Sequence, residues 1–301
     1  MYLEFYGLLR SPFDMTPDPS LLYLGDTHRE GLATLVYGVK ARKGFVLLTG
    51  EVGTGKTTLL HALLSQLDAN TSSAFIFNPR LEPLDFFHML FDEFGIEGPH
   101  KTKAEYLLAL NRFLIARLEK DETVVLVIDE AQNLSTEMLE EVRLLSNLET
   151  PTAKLMQIVL VGQPELSGLL ARPELRQLRQ RIVLRHHLRP FDEREMDTYV
   201  DERLRLSGYT GKGIFKRSAR KALFAVTGGV PRLVNVVSDS ALLLGYAREQ
   251  VTLDGSIIEE VARDLEINDP AEDEAAAAEV APEATAEAKS PRKRRGLLRR
   301  R

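Results

Sequence analysis

The chain reads Phe45-Val46-Leu47-Leu48-Thr49-Gly50-Glu51-Val52-Gly53-Thr54-Gly55-Lys56-Thr57 between residues 45 and 57. From residue 50 onward it fits the pattern G-x-x-x-x-G-K-[ST] at every fixed position, and the apolar residues before the pattern are typical of a buried strand. A strand, a glycine-rich loop and a helix start, in this order, predict a P-loop, which binds a nucleoside triphosphate such as ATP.

Each part of this loop has a chemical role in binding phosphate. Glycines let backbone N–H groups turn inward around the anion, and a helix beginning near Thr57 directs its positive dipole end at the same place. Lys56 can reach the β- and γ-phosphates, and the Thr57 hydroxyl can ligate Mg²⁺. The predicted nucleotide-binding residues of this segment are Gly50, Glu51, Val52, Gly53, Thr54, Gly55, Lys56, Thr57 and Thr58.

The composition is that of a globular protein without cysteine chemistry. Of the 301 residues, 44% are hydrophobic and 28% are charged, and there is no cysteine for a disulfide or a metal site. The first residues lack the basic and apolar regions of a signal peptide. No apolar run approaches the roughly 18 residues that a transmembrane helix needs. We therefore expect a cytoplasmic protein with no transmembrane segment of its own.

Strands and helices alternate in the pattern up to Pro190. The expected strands are Phe45–Thr49, Ala74–Asn78, Thr123–Ile128, Leu155–Gly162 and Ile182–His186. The helical patterns among them are Thr57–Leu67, Pro83–Phe94, Lys103–Glu119, Thr136–Leu148, Pro164–Leu170 and Glu174–Gln180. This alternation predicts an α/β fold, in which a central parallel sheet carries helices on both faces and binds ligands at the carboxyl ends of its strands.

Beyond Pro190 the pattern is helical and then changes to a charged tail. The helical patterns are Glu193–Leu206, Lys216–Thr227, Pro231–Arg248 and Gly255–Leu265. We therefore predict a nucleotide-binding domain over residues 1–190 and a small all-helical domain over residues 191–267. Residues 268–288 contain seven acids and no base, and residues 289–301 contain eight bases and no acid. With almost no large apolar residue in its acidic part, the tail over 268–301 is predicted to be disordered.

A second motif follows the predicted third strand, where Asp129-Glu130 comes after five apolar residues. In P-loop enzymes an acidic residue at this place holds Mg²⁺, which is the role predicted for Asp129. Glu130 is then placed to act as general base toward the attacking water. The alternative is that the two acids cap a helix or lie in a solvated turn.

The motifs together resemble an AAA+ ATPase of the initiator-like branch, and more narrowly the general-secretion-pathway ATPase A (ExeA-type) family. The narrower resemblance is carried by Phe5-Tyr6-Gly7-Leu8, Pro12-Phe13, Thr16-Pro17-Asp18-Pro19, Tyr23-Leu24, Lys43-Gly44-Phe45, Asp129-Glu130-Ala131-Gln132 and Gly162-Gln163-Pro164-Glu165-Leu166. It implies an αβα sandwich followed by a helical lid. Secretion members of the family usually continue into a transmembrane helix and a periplasmic region, whereas here the charged tail follows.

The resemblance also implies roles for residues outside the loop. Gln163, after the fourth strand, matches the polar sensor that contacts the γ-phosphate or the attacking water; as a strand-end amide it could instead cap the following helix. Arg232, in Gly228-Gly229-Val230-Pro231-Arg232, resembles the second sensor, which reaches the nucleotide from the lid.

An arginine finger is implied just before the fifth strand. Arg181 is the first candidate, because it immediately precedes Ile182, and Arg176 is the second. Either arginine could instead belong to a solvated basic face. A finger that acts on a neighbouring subunit requires a head-to-tail homo-oligomer.

The function implied by the resemblance is an oligomeric, ATP-hydrolysing switch that supports assembly of an envelope machine for secretion, pilus or polysaccharide export. Such a protein would be cytoplasmic or peripheral at the inner face of the membrane. The alternative is a DNA-associated ATPase of the transposition or initiator type. The basic end of the tail could neutralise nucleic-acid phosphates, dock on anionic lipid, or fold back on the acidic stretch.

Overall fold

The apolar runs predicted as strands form one parallel sheet in the computed structural model, which describes residues 1–14, 23–67, 70–77, 82–151 and 153–267. The strands are β1 (Phe45–Gly50), β2 (Thr71–Ile76), β3 (Thr123–Ile128), β4 (Met156–Gly162) and β5 (Ile182–Leu188), in the order β2-β3-β4-β1-β5. The predicted α/β fold with a central parallel sheet is therefore confirmed. The charged tail lies outside the described residues.

Strand β2 begins three residues earlier than its apolar residues suggest, at Thr71 rather than Ala74. The cause is backbone pairing, since Thr71 already stands opposite Thr123 of β3. As the edge strand of this sheet, β2 tolerates polar residues whose side chains are partly exposed. The predicted last residue of this strand, Asn78, lies outside the described residues.

Helices precede, separate and follow the strands. They are α1 (Tyr2–Tyr6), α2 (Asp26–Lys40), α3 (Lys56–Gln66), α4 (Pro83–Phe94), α5 (Lys103–Glu119), α6 (Thr136–Leu145), α7 (Pro164–Leu170), α8 (Arg176–Arg181), α9 (Glu193–Leu206), α10 (Arg217–Thr227), α11 (Pro231–Ala247) and α12 (Gly255–Asp264). The sequence pattern did not predict α1 and α2. The predicted helix over Glu174–Gln180 is a short 3-10 turn, Pro173–Leu175, followed by α8.

The strands alternate their side chains between two apolar layers. In β3, Leu126 and Ile128 pack with residues of α4 to α8, whereas Val125 and Val127 pack with α2 and α3. All four side chains are fully buried. A strand that is buried on both faces is largely apolar, because each face packs against a helix layer. This explains why the apolar runs in the sequence predict β3 and β4.

The helices that follow β5 form a separate core together with the start of the chain. Tyr6, Leu8 and Phe13 are buried among residues of α9 to α12. The Tyr6 hydroxyl donates to the Gln250 carbonyl at 2.9 Å, which fixes α1 against this helical part. The division of the chain at residue 190 stays a prediction.

Across the described residues, no helix combines the length and the apolar character that crossing a lipid bilayer requires.

Replacing Leu126 by alanine should destabilise the fold by about 2–5 kcal/mol, because it leaves a cavity at the centre of the sheet. The matched control is Leu108→Ala in α5, whose side chain is 60% exposed and whose loss should change stability by less than about 0.5 kcal/mol. Urea denaturation followed by circular dichroism measures both free energies of unfolding. Equal values for the two variants would contradict this packing.

Candidate functional site

The predicted P-loop joins the end of β1 to the start of α3. Gly55 precedes α3 with φ of +96°, a left-handed conformation that disfavours any residue with a side chain. A Cβ at this position would also lie 3.1 Å from Nε2 of His28. Having no side chain, Gly55 cannot cap the first-turn N–H groups of α3 itself, so they remain available to an anion.

Lys56 begins α3, and its side chain turns back into the loop. Only 7% of the residue is exposed, and its Nζ donates to the carbonyl oxygens of Gly50 at 2.8 Å and Glu51 at 2.9 Å. Burial lowers the pKa of Lys56, and the nearby carboxylates of Glu130 and Asp129 oppose this effect. The ammonium group is therefore held inside the loop by backbone dipoles and by the field of two acids.

Thr57 and Asp129 meet across the site. The Thr57 hydroxyl donates to Oδ2 of Asp129 at 3.4 Å, and Oδ1 of Asp129 accepts from the backbone N–H of Glu130 at 2.8 Å. Asp129 is 5% exposed, and burial raises its pKa. Thr58 follows in the first turn of α3, half-buried, and Val52 is 55% exposed at the outer side of the loop.

Glu130 adopts a backbone conformation that is unusual for a residue with a side chain. Its φ is +51°, between the end of β3 and a 3-10 turn over Ala131–Asn133. Non-glycine residues with positive φ are concentrated at functional sites. The Glu130 carboxylate accepts from the side-chain amides of Gln132 and Gln163, the latter at 3.2 Å. The two predicted site residues Glu130 and Gln163 are thus in direct contact.

The helical part touches the P-loop through the start of α11. The backbone N–H of Arg232 donates to the carbonyl of Gly53 at 3.2 Å, while the side chain of Arg232 is exposed. The N–H of Phe191 donates to the carbonyl of Gly229 at 3.0 Å, close to where the chain leaves the sheet. The backbone of Arg232 therefore lies against the loop, and the role of its side chain as second sensor stays a prediction.

The two candidate arginine fingers differ in their surroundings. Arg181, the last residue of α8, donates to the Ser146 hydroxyl and to the Asn147 side-chain oxygen at the end of α6, the latter at 2.7 Å. Arg176, the first residue of α8, is exposed. Arg181 is thus bonded within its own chain.

Two further residues belong to this site, His28 and Gln132, and neither was predicted as a site residue. His28 of α2 is 3% exposed, and its Nε2 bonds the carbonyl of Thr54 in the P-loop at 2.8 Å. Burial lowers the pKa of His28, which favours the neutral ring. Gln132 lies in the motif Asp129-Glu130-Ala131-Gln132, so the motif could have pointed to it. For His28, the helical spacing of Leu32, Leu35 and Val39 could have indicated the helix that carries it.

Among the described residues, no three acidic or histidine side chains come together as a metal site. Mg²⁺ that binds together with a nucleotide keeps several waters and takes one or two protein ligands plus phosphate oxygens. The Thr57 hydroxyl and the Asp129 carboxylate, already within 3.4 Å of each other, are a suitable pair of oxygen ligands.

The raised pKa of Asp129 predicts a pH-dependent stability difference. A carboxyl group whose pKa is higher in the folded protein destabilises folding increasingly as pH rises from about 4, its unfolded value, through the raised one. Asp129→Asn should therefore be more stable than wild type at neutral pH, by on the order of 1 kcal/mol, and the difference should disappear at the acidic end.

The exposed Asp264 provides the control, since Asp264→Asn should track wild type across the same series of denaturant titrations. A constant difference between Asp129→Asn and wild type at all pH values would contradict the role given to burial of this carboxylate.

Two sequence comparisons agree with the geometry of the site. Residues 39–170, which include the P-loop, Asp129, Glu130 and Gln163, match the family described as AAA domain. The chain is also 45% identical over 249 residues to general secretion pathway protein A of Aeromonas hydrophila. The match takes in 82% of this chain but 45% of that protein, so the chain spans less than half of this relative's length.

Solved structures share the fold at low identity. Cdc6p of Pyrobaculum aerophilum superposes with a TM-score of 0.66 at 18% identity, over 84% of this chain and 70% of that one. Drosophila ORC bound to DNA gives a TM-score of 0.64 at 17% identity, over 85% of this chain and 65% of its own. At these identities the likeness concerns the fold alone. With the matched domain and the relative in agreement, the chain is similar to general secretion pathway protein A and contains an AAA domain over residues 39–170.

Proposed function

We propose that this chain binds ATP with Mg²⁺ and hydrolyses it, and that the cycle operates an oligomeric switch in the assembly of an envelope machine. The observation that carries the proposal is the convergence of five predicted site residues at one edge of the sheet. Lys56 and Thr57 follow β1, Asp129 and Glu130 follow β3, and Gln163 follows β4 between them.

In this proposal, the loop and the start of α3 bind the phosphates. The Lys56 ammonium, which here donates to two loop carbonyls, can exchange those acceptors for phosphate oxygens of greater negative charge. The backbone N–H groups of the loop and the first turn of α3 add further donors. Thr57 and Asp129 would hold Mg²⁺, which neutralises charge on the phosphates when it is bound.

Glu130 is the general base in this proposal. Both amide donors to its carboxylate bond the same oxygen, Oε2, so the other oxygen, Oε1, is the one that can take a proton from water. Gln163 stands beside it, where a side-chain amide can orient that water or contact the γ-phosphate. Water attacks the γ-phosphorus and gives a proton to Glu130, while the bond between the γ-phosphorus and the bridging oxygen breaks. ADP leaves with the bridging oxygen, and the γ-phosphoryl group leaves as inorganic phosphate.

The secretion role is supported by the name of the relative, general secretion pathway protein A, and by 45% identity to it. Because ATP is supplied on the cytoplasmic side, we propose that the chain acts there, as a peripheral component of a membrane-associated machine. Head-to-tail assembly of identical subunits would let a finger arginine of one subunit act on the ATP of the next.

A DNA-associated ATPase is the alternative function. It is favoured by the eight basic residues at positions 289–301 and by the likeness in fold to Drosophila ORC, whose structure is that of a complex with DNA. The deciding experiment measures ATPase rate against protein concentration, with and without duplex DNA, at low and moderate salt. Stimulation by DNA that fades with salt would favour the alternative. A cooperative rise with protein concentration and no effect of DNA would favour the envelope machine.

Substitutions of Lys56 and Glu130 should separate binding from hydrolysis. Lys56→Ala should abolish ATP binding, because the phosphates lose their buried cation. Glu130→Gln should bind ATP normally but lose turnover by about 100-fold or more, because the base is removed. Fluorescent-nucleotide titration and phosphate release measure the two properties. Unchanged turnover by Glu130→Gln would remove Glu130 from the role of base.

Substitution of Arg181 tests the finger. Arg181→Ala should keep ATP affinity while lowering the concentration-dependent ATPase rate by about 10³-fold, the size of effect known for such arginines. Thermal unfolding must be recorded in parallel, since Arg181 also bonds Ser146 and Asn147. If the rate is unchanged, the exposed Arg176 becomes the candidate, and Arg176→Ala should then show the loss.

A further inference from the structure

One side-chain amide, that of Gln132, bridges the ends of β3 and β4. Its Oε1 accepts from the backbone N–H of Gln163 at 3.1 Å, and its Nε2 donates to Oε2 of Glu130. The two bonds fix the orientation of the amide, because a backbone N–H can only donate and an ionised carboxylate can only accept. Flipping the amide by 180° would break both bonds.

The last residue of β4 is a glycine, which leaves room for the Gln132 amide. Gly162 is the last residue of β4, and a Cβ placed on it would lie 2.6 Å from Oε1 of Gln132. That separation is too short for any side chain to be accommodated without moving the amide. The close approach of Gln132 to the backbone of β4 therefore depends on glycine at this position.

We propose that Gln132 is a positioning residue for hydrolysis, which aims the Glu130 carboxylate by tying it to the backbone at Gln163. The inference rests on the proposed ATPase function and deepens it. Glu130 has a left-handed backbone and a flexible side chain, so an external partner is needed to hold its carboxylate in one direction. Gln163 also bonds Glu130, but through a flexible side chain, whereas Gln132 is anchored at a backbone N–H.

The bridge also joins two functional elements mechanically. Gln163 is the residue immediately before α7, and it is the residue proposed to face the γ-phosphate. A displacement of its backbone moves the Gln132 amide and with it the oxygen of Glu130. The direction of the base is therefore linked to the position of the strand end that meets the nucleotide.

The experiment compares Gln132→Leu with Gln157→Leu in the full chain. Gln157, at the opposite end of β4, is a buried amide that also makes two bonds, to Gly44 N at 2.7 Å and to Lys154 O at 3.3 Å. Gln132→Leu should lower kcat by about 10- to 100-fold, as expected for a misdirected catalytic group, with the KM for ATP within about twofold of wild type. Gln157→Leu should lose stability but keep kcat.

The split between kcat and KM separates positioning from a merely structural role. A misdirected Glu130 carboxylate lowers kcat while ATP binding is kept, whereas a loss of stability alone, as expected for Gln157→Leu, leaves the kcat of the folded protein unchanged. Full kcat in Gln132→Leu, or an equal loss of kcat in Gln157→Leu, would overturn this inference alone. Wild-type protein without ATPase activity would overturn the proposed function as well.

Discussion

The site depends on a single constraint, the packing of a parallel sheet between two helix layers. Parallel strands covered on both faces all end at the same edge, and their connecting loops must gather there. With β4 lying between β1 and β3, the residue after β4 stands between the residues that follow its two neighbours. Neighbouring strands lie about 4.8 Å apart, so the ends of β1 and β3 are about 10 Å apart. The Thr57 side chain closes this gap, because its hydroxyl reaches Oδ2 of Asp129 at 3.4 Å.

This arrangement buries two charged side chains away from solvent. Lys56 and Asp129 are both nearly inaccessible, and burial opposes the charged form of each, lowering the pKa of one and raising that of the other. Each partly offsets the cost of the other through the opposite charge. A site with a buried cation and a buried anion side by side is suited to a ligand that brings phosphates for the first and a metal ion for the second.

Much of this fold could be predicted from the sequence, because β1, β3 and β4 are apolar on both faces and their motifs have fixed spacing. Helix α2 was not predicted, because it contains Gly31 and Gly38, which lower the intrinsic helix propensity of this segment. The structure explains Gly38, since a Cβ there would lie 2.4 Å from a methyl group of Val46 in β1. Tertiary packing, which a local pattern does not contain, overrides propensity at this position. The bonds from Gln132 to Gln163 and from His28 to Thr54 could not be predicted for a similar reason, because each joins segments far apart in the chain.

The shared core of the chain start and the last four helices has a consequence for motion. Among the described residues, the chain passes between that core and the sheet at two places, once between Tyr23 and Leu24 and once between Leu188 and Phe191. The two passages meet where Asp26 N donates to Glu195 Oε1 at 2.8 Å and where the His28 ring lies 5.1 Å from that of Phe191. Two adjacent connections restrict sliding and swivelling of the helical part against the sheet more than a single connection would. Both lie close to the P-loop, because His28 bonds the Thr54 carbonyl and Arg232 N donates to the Gly53 carbonyl, so the helical part is anchored to the sheet at the loop itself.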